Sequence, residues 1–472
     1  MSDFTVIDDK LYSALRKSIG YVPLYLFNRA GDFVEVVRRS VFEFLLPTGY
    51  FTNLAVPLGG RSFPTGTNTM ADAARLKLPE LYPCQQRVID ELTDRFKRKV
   101  AERRPVYATL HLACGFGKTI TASYLIGMHR KRAVVCVPNK MILAQWSAAV
   151  HKLGVSCYVS SEGAAKLLRV IDGRDVSVLV VVDKHLANEA FCKLVSRRYD
   201  VFVLDEAHTY NLMNLSAMTR FLSFHPPKIC YFLTATPRPA NSIYCNDVIN
   251  VTKFSALQKV TCVIREFYED FSTASIQDHC RKLSSPQNKY HLYTEKILAE
   301  DEPRNRTIVA TVAEAFAENR IERVLVITKL RKHMLRIFHG LEQELGTDYV
   351  FLGDARNRGT TETVRRLRDS EHFIFVSTLN YSGTGLDIPR LDTLVVCTSV
   401  MNNMQIEQMI GRICRETDST RRAIYLFPNT SVREIRYTVG IFTQRIGTVA
   451  ARLGFSEFAE RTQVGPASRT QK

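Results

Sequence analysis

The chain has 472 residues, with hydrophobic residues at 46%, charged residues at 24%, and 64 Lys and Arg against 47 Asp and Glu, a formal net charge of +17. That length exceeds what one hydrophobic core normally serves, so two compact domains plus an extension are expected, and the composition excludes a largely disordered chain. The positive balance points to a polyanionic partner, although charge alone separates neither DNA, RNA and anionic lipid from one another nor any of them from a basic surface kept for solubility.

The N-terminus, Met-Ser-Asp-Phe-Thr-Val-Ile-Asp-Asp, is acidic where a secretory signal is basic and lacks an apolar middle. No stretch reaches the roughly eighteen apolar residues that cross a bilayer, so a soluble protein without a membrane partner is expected. The eleven cysteines stand singly, with no C-x-x-C pair, which fits a reducing compartment; the one Cys/His adjacency, His279-Cys280, lacks companions at ligand spacing and is read as structural.

Residues 1–75 mix apolar runs such as Val41–Leu46 with charged residues and end near the turn-rich Ser62–Thr69; they are read as a folded N-terminal extension without a motif. Over 76–250, short apolar runs alternate with helical stretches: strands are expected at Tyr107–Leu112, Ala133–Val137, Val178–Val182, Val201–Leu204 and Ile229–Leu233. Runs this continuously apolar belong to a parallel sheet buried on both faces. Residues 251–300 are read as connecting and peripheral helices. A second alternation occupies 301–440, with strands at Val324–Ile327, Tyr349–Leu352, Phe373–Val376, Leu394–Cys397 and Ala423–Phe427. Residues 441–472 are read as a C-terminal helix and a polar tail disordered from about Thr462. The expected fold class is α/β, with two tandem parallel-sheet lobes.

The first expected strand runs into Leu112-Ala113-Cys114-Gly115-Phe116-Gly117-Lys118-Thr119. Glycines here let backbone N–H groups close around phosphates at the start of a helix, with Lys118 reaching the β/γ-phosphates of ATP and Thr119 binding Mg²⁺. Leu112 stands where the general phosphate-loop pattern has Gly, so a plain glycine turn before a helix is the competing reading. Val201–Leu204 is followed by Asp205-Glu206-Ala207-His208, which places a carboxylate for Mg²⁺ (Asp205) and a second that can orient water (Glu206) at a strand end.

The order of these motifs resembles superfamily 2 helicases, and the likeness covers about residues 81–420. It implies two RecA-like lobes, an ATP-binding one over 76–250 and a C-terminal one over 301–440. Leu81-Tyr82-Pro83-Cys84-Gln85 resembles the signature of duplex-DNA translocases whose Gln reads adenine, which nominates Gln85. Thr234-Ala235-Thr236-Pro237 resembles motif III, which couples hydrolysis to lobe movement and assigns coupling roles to Thr234 and Thr236 together with His208 and Gln408. Asn380–Pro389 resembles motif V, making Gly385 and Asp387 nucleotide contacts, and Gln408–Arg415 resembles motif VI, with Arg412 and Arg415 at arginine-finger positions. A planar cation suits the charge that develops on a transferred phosphoryl group. Arginines at i and i+3 share a helical face, and a solvated basic face is the alternative for them. Which arginine is the principal finger stays open.

Pro138-Asn139-Lys140 and Gln145-Trp146 resemble motif Ia, which contacts nucleic-acid phosphates; Trp146, the one tryptophan, is read either as a base-stacking residue or, by its place in an amphipathic helix, as core. Gly353–Arg366 resembles a further backbone-contacting segment, with Gly353 and Arg365 as nucleic-acid candidates beside Arg356, Arg358 and Arg366. Within the superfamily the motif set is most similar to the poxvirus transcript-release DNA helicases. That likeness implies a DNA-dependent ATPase unwinding 3′ to 5′ in viral transcription termination and elongation, partnered by transcription machinery, in the infected cell's cytoplasm and in virions. An RNA helicase and a nucleotide-gated subunit that does not translocate are the rival functions.

Overall fold

The structure, a computed structural model, describes residues 4–19, 22, 25–27, 33–35, 38–39, 44–47, 49–50, 68–102, 105–112, 116–160, 162–250, 261–268, 276, 280, 290–354, 359–383, 388, 390–413, 421–429, 432–453 and 456–463. The chain divides into two compact units, Met1–Ser255 and Ala256–Lys472.

The first unit opens with β1 (Phe4–Ile7), α1 (Asp9–Ile19), β2 (Tyr25–Phe27), β3 (Phe33–Glu35), β4 (Arg38–Arg39) and β5 (Phe44–Pro47), in which β1-β5-β4 and β2-β3 pair antiparallel. It continues with α2 (Pro83–Ala101), β6 (Val106–His111), α3 (Lys118–His129), β7 (Ala133–Val137), α4 (Lys140–His151), β8 (Cys157–Ser160), α5 (Ala164–Gly173), β9 (Val178–Val182), α6 (Glu189–Arg198), β10 (Val201–Leu204), α7 (Ala217–Phe224), β11 (Ile229–Thr234) and β12 (Val248–Asn250). The seven strands β6 to β12 form one parallel sheet in the order β12-β6-β11-β10-β7-β9-β8.

Helices on both faces explain why these strands are apolar throughout rather than alternating. Along β7, Val134 and Cys136 enter one core layer while Ala133, Val135 and Val137 enter the other. The N-terminal extension is part of this packing: Leu15, Leu26, Leu46 and Tyr50 join the layer that holds Phe202 and Phe221. Gly49 lies so close to α7 that a β-carbon would sit 1.9 Å from the Leu222 carbonyl oxygen.

The second unit contains β13 (Thr261–Tyr268), α8 (Tyr290–Glu300), α9 (Glu302–Ala317), β14 (Arg323–Thr328), α10 (Arg331–Leu345), β15 (Val350–Gly353), α11 (Thr360–Leu367), β16 (Phe373–Thr378), α12 (Leu379–Gly383), β17 (Thr393–Val396), α13 (Asn403–Gly411), β18 (Arg421–Leu426), α14 (Arg433–Arg452) and β19 (Ser456–Gln463). Its sheet, also parallel and seven-stranded, runs β15-β16-β14-β17-β18-β13-β19. Two tandem parallel-sheet α/β lobes therefore match the expected fold class. Two strands were not foreseen at its flanks: within 251–300, β13 precedes the helix α8 and inserts beside β18, and after the expected C-terminal helix, α14, β19 pairs with β13 from Thr261↔Ser456 to Tyr268↔Gln463. The tail beyond Gln463 lies outside the described residues. Ser-Glu-Phe-Ala-Glu-Arg-Thr-Gln suits a charged sheet edge, which local hydrophobicity does not reveal. Among the described residues no helix is long and apolar enough to cross a membrane.

Each unit buries a histidine outside its sheet-edge loops. His129 Nε2 lies 2.6 Å from the Tyr231 hydroxyl, and burial, aided by Lys131, pushes its pKa from 6.5 down to about 4. His333 Nε2 lies 2.9 Å from Asn305 Oδ1 and is pushed well below its ordinary value by burial, with Arg304 and Arg336 adding to the effect. Unfolding lets both bind protons near pH 6.5 that the folded chain refuses until a lower pH, so stability is lost as pH falls through that window. Urea unfolding at about pH 7.5 and about pH 5.5 is expected to show a loss of roughly 1 kcal/mol per histidine at the lower pH. His129→Gln is expected to remove that residue's own share of the slope; an unchanged slope in this variant would count against its neutral burial.

Candidate nucleotide site

Because β6, β11, β10 and β7 are parallel neighbours, their C-terminal ends share one edge of the first sheet, where open α/β sheets hold ligands. The chain leaves β6 through Leu112, whose N–H donates to the Thr234 carbonyl at 2.8 Å. Ala113, Cys114 and Gly115 lie outside the described residues. The loop returns through half-buried Phe116 and Gly117, and Gly117 takes φ +87° immediately before α3. A β-carbon at this position would be strained by that conformation and would also sit 2.5 Å from Gln85 Nε2. Lys118 and Thr119 begin the helix, whose first N–H groups have no partner within the helix and carry the positive end of its dipole.

Gln85 braces this loop from behind. The residue is 1% exposed; its Oε1 accepts from the Tyr82 N–H at 2.9 Å, and its Nε2 donates to the Phe116 carbonyl at 2.7 Å. One amide thus ties the start of α2 to the loop.

At the end of β10 the Asp205 N–H donates to the Cys136 carbonyl at 3.0 Å, which fixes the acidic pair against β7. Asp205 is buried, and each carboxylate oxygen is held: Oδ1 accepts from the Glu206 N–H at 2.8 Å and Oδ2 from the Trp146 indole at 2.7 Å. Glu206 adopts φ +49°, a left-handed conformation that costs a residue with a β-carbon roughly 1–2 kcal/mol. Its Oε1 meets Lys118 Nζ at 2.6 Å. Burial pushes the Asp205 pKa upward, and the Glu206 carboxylate adds to this, while Lys118, the Trp146 indole and the Glu206 N–H favour the ionised form.

The acidic pair continues into a buried chain. His208 Nδ1 lies 3.3 Å from Glu206 Oε2 and 3.2 Å from Thr234 Oγ1. Thr234 Oγ1 in turn donates to the Thr236 carbonyl and accepts from the Thr236 N–H, each at 3.1 Å. Burial lowers the His208 pKa against the opposing pull of Glu206, so the ring is neutral at neutral pH. Gln85, Phe116, Gly117, Lys118, Asp205, Glu206, His208, Thr234 and Thr236 therefore belong to one connected arrangement, which also includes Asn241, whose Nδ2 donates to the Ala207 carbonyl at 3.1 Å. No sequence pattern nominated Asn241. Trp146 resolves as core, fully buried, and not as a surface stacking residue.

The remaining candidates are dispersed. Pro138 and Asn139 follow β7, with Asn139 Oδ1 accepting from the Ile142 N–H at 3.1 Å, and half-buried Gln145 lies further along α4. In the second unit Gly353 ends β15 against Phe375, with its carbonyl accepting from Ser377 Oγ at 3.1 Å, and the Arg365 side chain is 80% exposed on α11. Gln408 is half-buried on α13. Arg412 lies in the turn after that helix, its N–H donating to the Met409 carbonyl at 3.1 Å, so the helical face expected for the arginine pair ends before it. Gly385, Asp387, Arg415, Arg356 and Arg358 lie outside the described residues.

The family model described as type III restriction enzyme, res subunit, matches residues 78–239, and the helicase conserved C-terminal domain matches residues 307–417. The transcript termination protein A18 of fowlpox virus is 58% identical over 98% of this chain and 100% of its own length. That of myxoma virus is 51% identical, covering 99% and 98%. Among solved structures, the DNA-bound Type ISP restriction-modification enzyme LlaBIII superposes with a TM-score of 0.57 at 15% identity, over 84% of this chain and 32% of that one. Mss116p bound to ssRNA and AMP-PNP gives 0.54 at 14% identity, over 82% and 75%. Fold, sheet-edge geometry and domain matches together define a superfamily 2 helicase, a class that uses ATP with a divalent metal and binds nucleic acid. Within that class the chain belongs to the family of poxvirus transcript termination proteins.

Gln85→Ala removes both ties behind the phosphate-loop candidate. Steady-state ATPase measurements are expected to show KM for ATP raised about 10-fold with kcat changed by less than about 3-fold, the pattern of lost uniform binding. An unchanged KM would show that the brace does not shape the nucleotide site.

Proposed function

We propose that this chain is an ATP-driven DNA translocase that moves 3′ to 5′ and releases nascent transcripts during viral transcription termination and elongation. The observation that carries the reading is the convergence of Lys118, Asp205 and Glu206 on one sheet edge, with Lys118 Nζ 2.6 Å from Glu206. A cation, two carboxylates and the start of a helix are what phosphoryl transfer from ATP needs from a protein, since its catalysis is mainly positioning and charge stabilisation.

On this reading the loop from Leu112 through Ala113, Cys114, Gly115, Phe116 and Gly117 cradles phosphates, and Lys118 leaves Glu206 for the β/γ-phosphates. That exchange frees Glu206 to orient the attacking water. The carboxylate of Asp205 and the hydroxyl of Thr119 are hard oxygen donors suited to Mg²⁺. Bound there, Mg²⁺ would neutralise charge on the phosphate oxygens. For Gln85 to contact adenine, its amide has to exchange the Tyr82 or Phe116 tie for the base; Gly385 and Asp387 contact the nucleotide from the second lobe, and Arg412 and Arg415 supply charge to the transferring phosphoryl group.

His208, Thr234 and Thr236, with Gln408, relay the state of the nucleotide to lobe movement. The His208–Thr234–Thr236 hydrogen bonds support this role, because a chain of hydrogen-bonded polar groups away from water has few alternative arrangements. Pro138, Asn139, Gln145, Gly353 and Arg365 would contact the tracked strand, and the formal charge of +17 supports a polyanionic partner. Likeness to the viral transcript termination proteins supports action with transcription machinery in cytoplasmic viral factories and packaging in virions.

The decisive measurement is ATPase activity with single-stranded DNA, duplex DNA and RNA across a salt series. DNA is expected to stimulate hydrolysis most, with stimulation falling steeply as salt rises. Lys118→Ala is expected to lower hydrolysis at least about 100-fold and to abolish transcript release, whereas His208→Ala is expected to retain hydrolysis within about 10-fold and lose strand displacement. Full transcript release by Lys118→Ala would instead identify a subunit that does not translocate, and stimulation by RNA alone would identify an RNA helicase.

A further inference from the structure

We propose that Trp146 is a positioning residue for ATP hydrolysis, its indole N–H fixing the Asp205 carboxylate in the orientation that receives the divalent metal. This rests on the reading of Asp205 as a metal ligand. The indole donates to Asp205 Oδ2 at 2.7 Å from a different element, α4, and both side chains are buried. The other oxygen is held at 2.8 Å by the Glu206 N–H. A carboxylate offers about four lone-pair sites. Two donors on opposite oxygens stop rotation about Cβ–Cγ and leave a single direction for each remaining lone pair.

A tryptophan that only filled space would satisfy its N–H at any backbone carbonyl. Here the acceptor is the first of the two carboxylates at the end of β10, and the bond is charge-assisted and therefore short and directional. Phe at 146 would replace most of the ring and leave Oδ2 without its donor. The helix that carries the indole also carries Gln145 and directly follows Asn139, so the tie joins nucleic-acid candidates of the first unit to the acidic pair through one element.

Trp146 is the only tryptophan in the chain, so tryptophan emission reports the surroundings of this one indole, the Asp205 carboxylate among them. The experiment uses the full chain as wild type, Trp146→Phe, Asp205→Asn, and a chain carrying 3-benzothienylalanine at position 146, which keeps the ring shape and deletes the N–H. The readouts are the thermal midpoint, kcat at saturating Mg²⁺, the Mg²⁺ concentration for half-maximal ATPase, and that for half-maximal binding of a fluorescent ADP analogue.

The isosteric variant is expected to keep its thermal midpoint and its kcat within about 3-fold while needing about 10-fold more Mg²⁺ in both binding and hydrolysis, the range found when groups that orient metal ligands are removed. A wild-type Mg²⁺ requirement in a folded isosteric variant overturns the proposal and leaves Asp205 untouched. A wild-type requirement in Asp205→Asn overturns the metal reading itself, and the proposal with it. If neither chain substituted at 146 folds, wild-type emission decides. A change that needs both Mg²⁺ and ADP and is absent from Asp205→Asn supports the proposal, and emission indifferent to Mg²⁺ overturns it.

Discussion

The ion pair between Lys118 and Glu206, set beside buried Asp205, is the interaction around which the candidate nucleotide site of the first unit is arranged. Two carboxylates adjacent in sequence repel each other, and in a half-buried setting that repulsion is poorly screened. One lysine offsets it by reaching across from the start of α3. The two elements involved are separated by 88 positions in sequence, so only the parallel pairing of β6, β11 and β10 brings them together. What surrounds the pair can be understood as support: Gly117 allows the turn into α3, Gln85 holds the Phe116 carbonyl, and the Cys136 carbonyl anchors Asp205.

Most of that support is stiff, and the stiffness has a cost located in one place. Glu206 is held at positive φ, and the cost of that conformation is met by hydrogen bonds on either side of it. The strain turns the side chain away from the strand direction and toward Lys118 and His208. A relaxed backbone would send it elsewhere. The same residue therefore touches the phosphate-loop lysine with one oxygen and the His208–Thr234 chain with the other. Lys118 and Glu206 both act on the field felt at His208, in opposite directions.

The sequence reveals the two α/β lobes because parallel strands buried on both faces must be apolar over their whole length, as Val178–Val182 and Phe373–Val376 are. It nominates the phosphate-loop candidate and Asp205-Glu206 because both are local patterns at strand ends. It does not reveal β13 or β19, whose pairing joins segments about two hundred residues apart; β19 moreover lies at the sheet edge, a position that rewards charge over hydrophobicity. Nor does it reveal that Trp146 meets Asp205, since the bond joins a helix interior to the end of a strand reached after two further crossovers. Asn241 and the Gln85 to Phe116 tie escape for the same reason: each is a contact between separate elements, visible only after the sheet has set their spacing.

The extension shows how this spacing is secured. A parallel sheet at the front of a chain needs cover on both faces, and the layer formed by Phe202, Phe221 and Phe232 is wide enough that α6 and α7 are joined there by Leu15, Leu26, Leu46 and Tyr50. Contact is close enough that Gly49 admits no side chain against Leu222, and Tyr50 packs edge-on to Tyr244 at 5.8 Å between ring centroids. That layer lies beneath β10 and β11, the two strands whose ends carry Asp205 and Thr234. Apolar burial of this kind contributes roughly 1.5–3 kcal/mol per large side chain, and it acts on the strands that must stay fixed while charge moves at their ends. Residues without any chemical motif therefore bear on the site through packing, by holding the acidic pair and the His208–Thr234 chain in register.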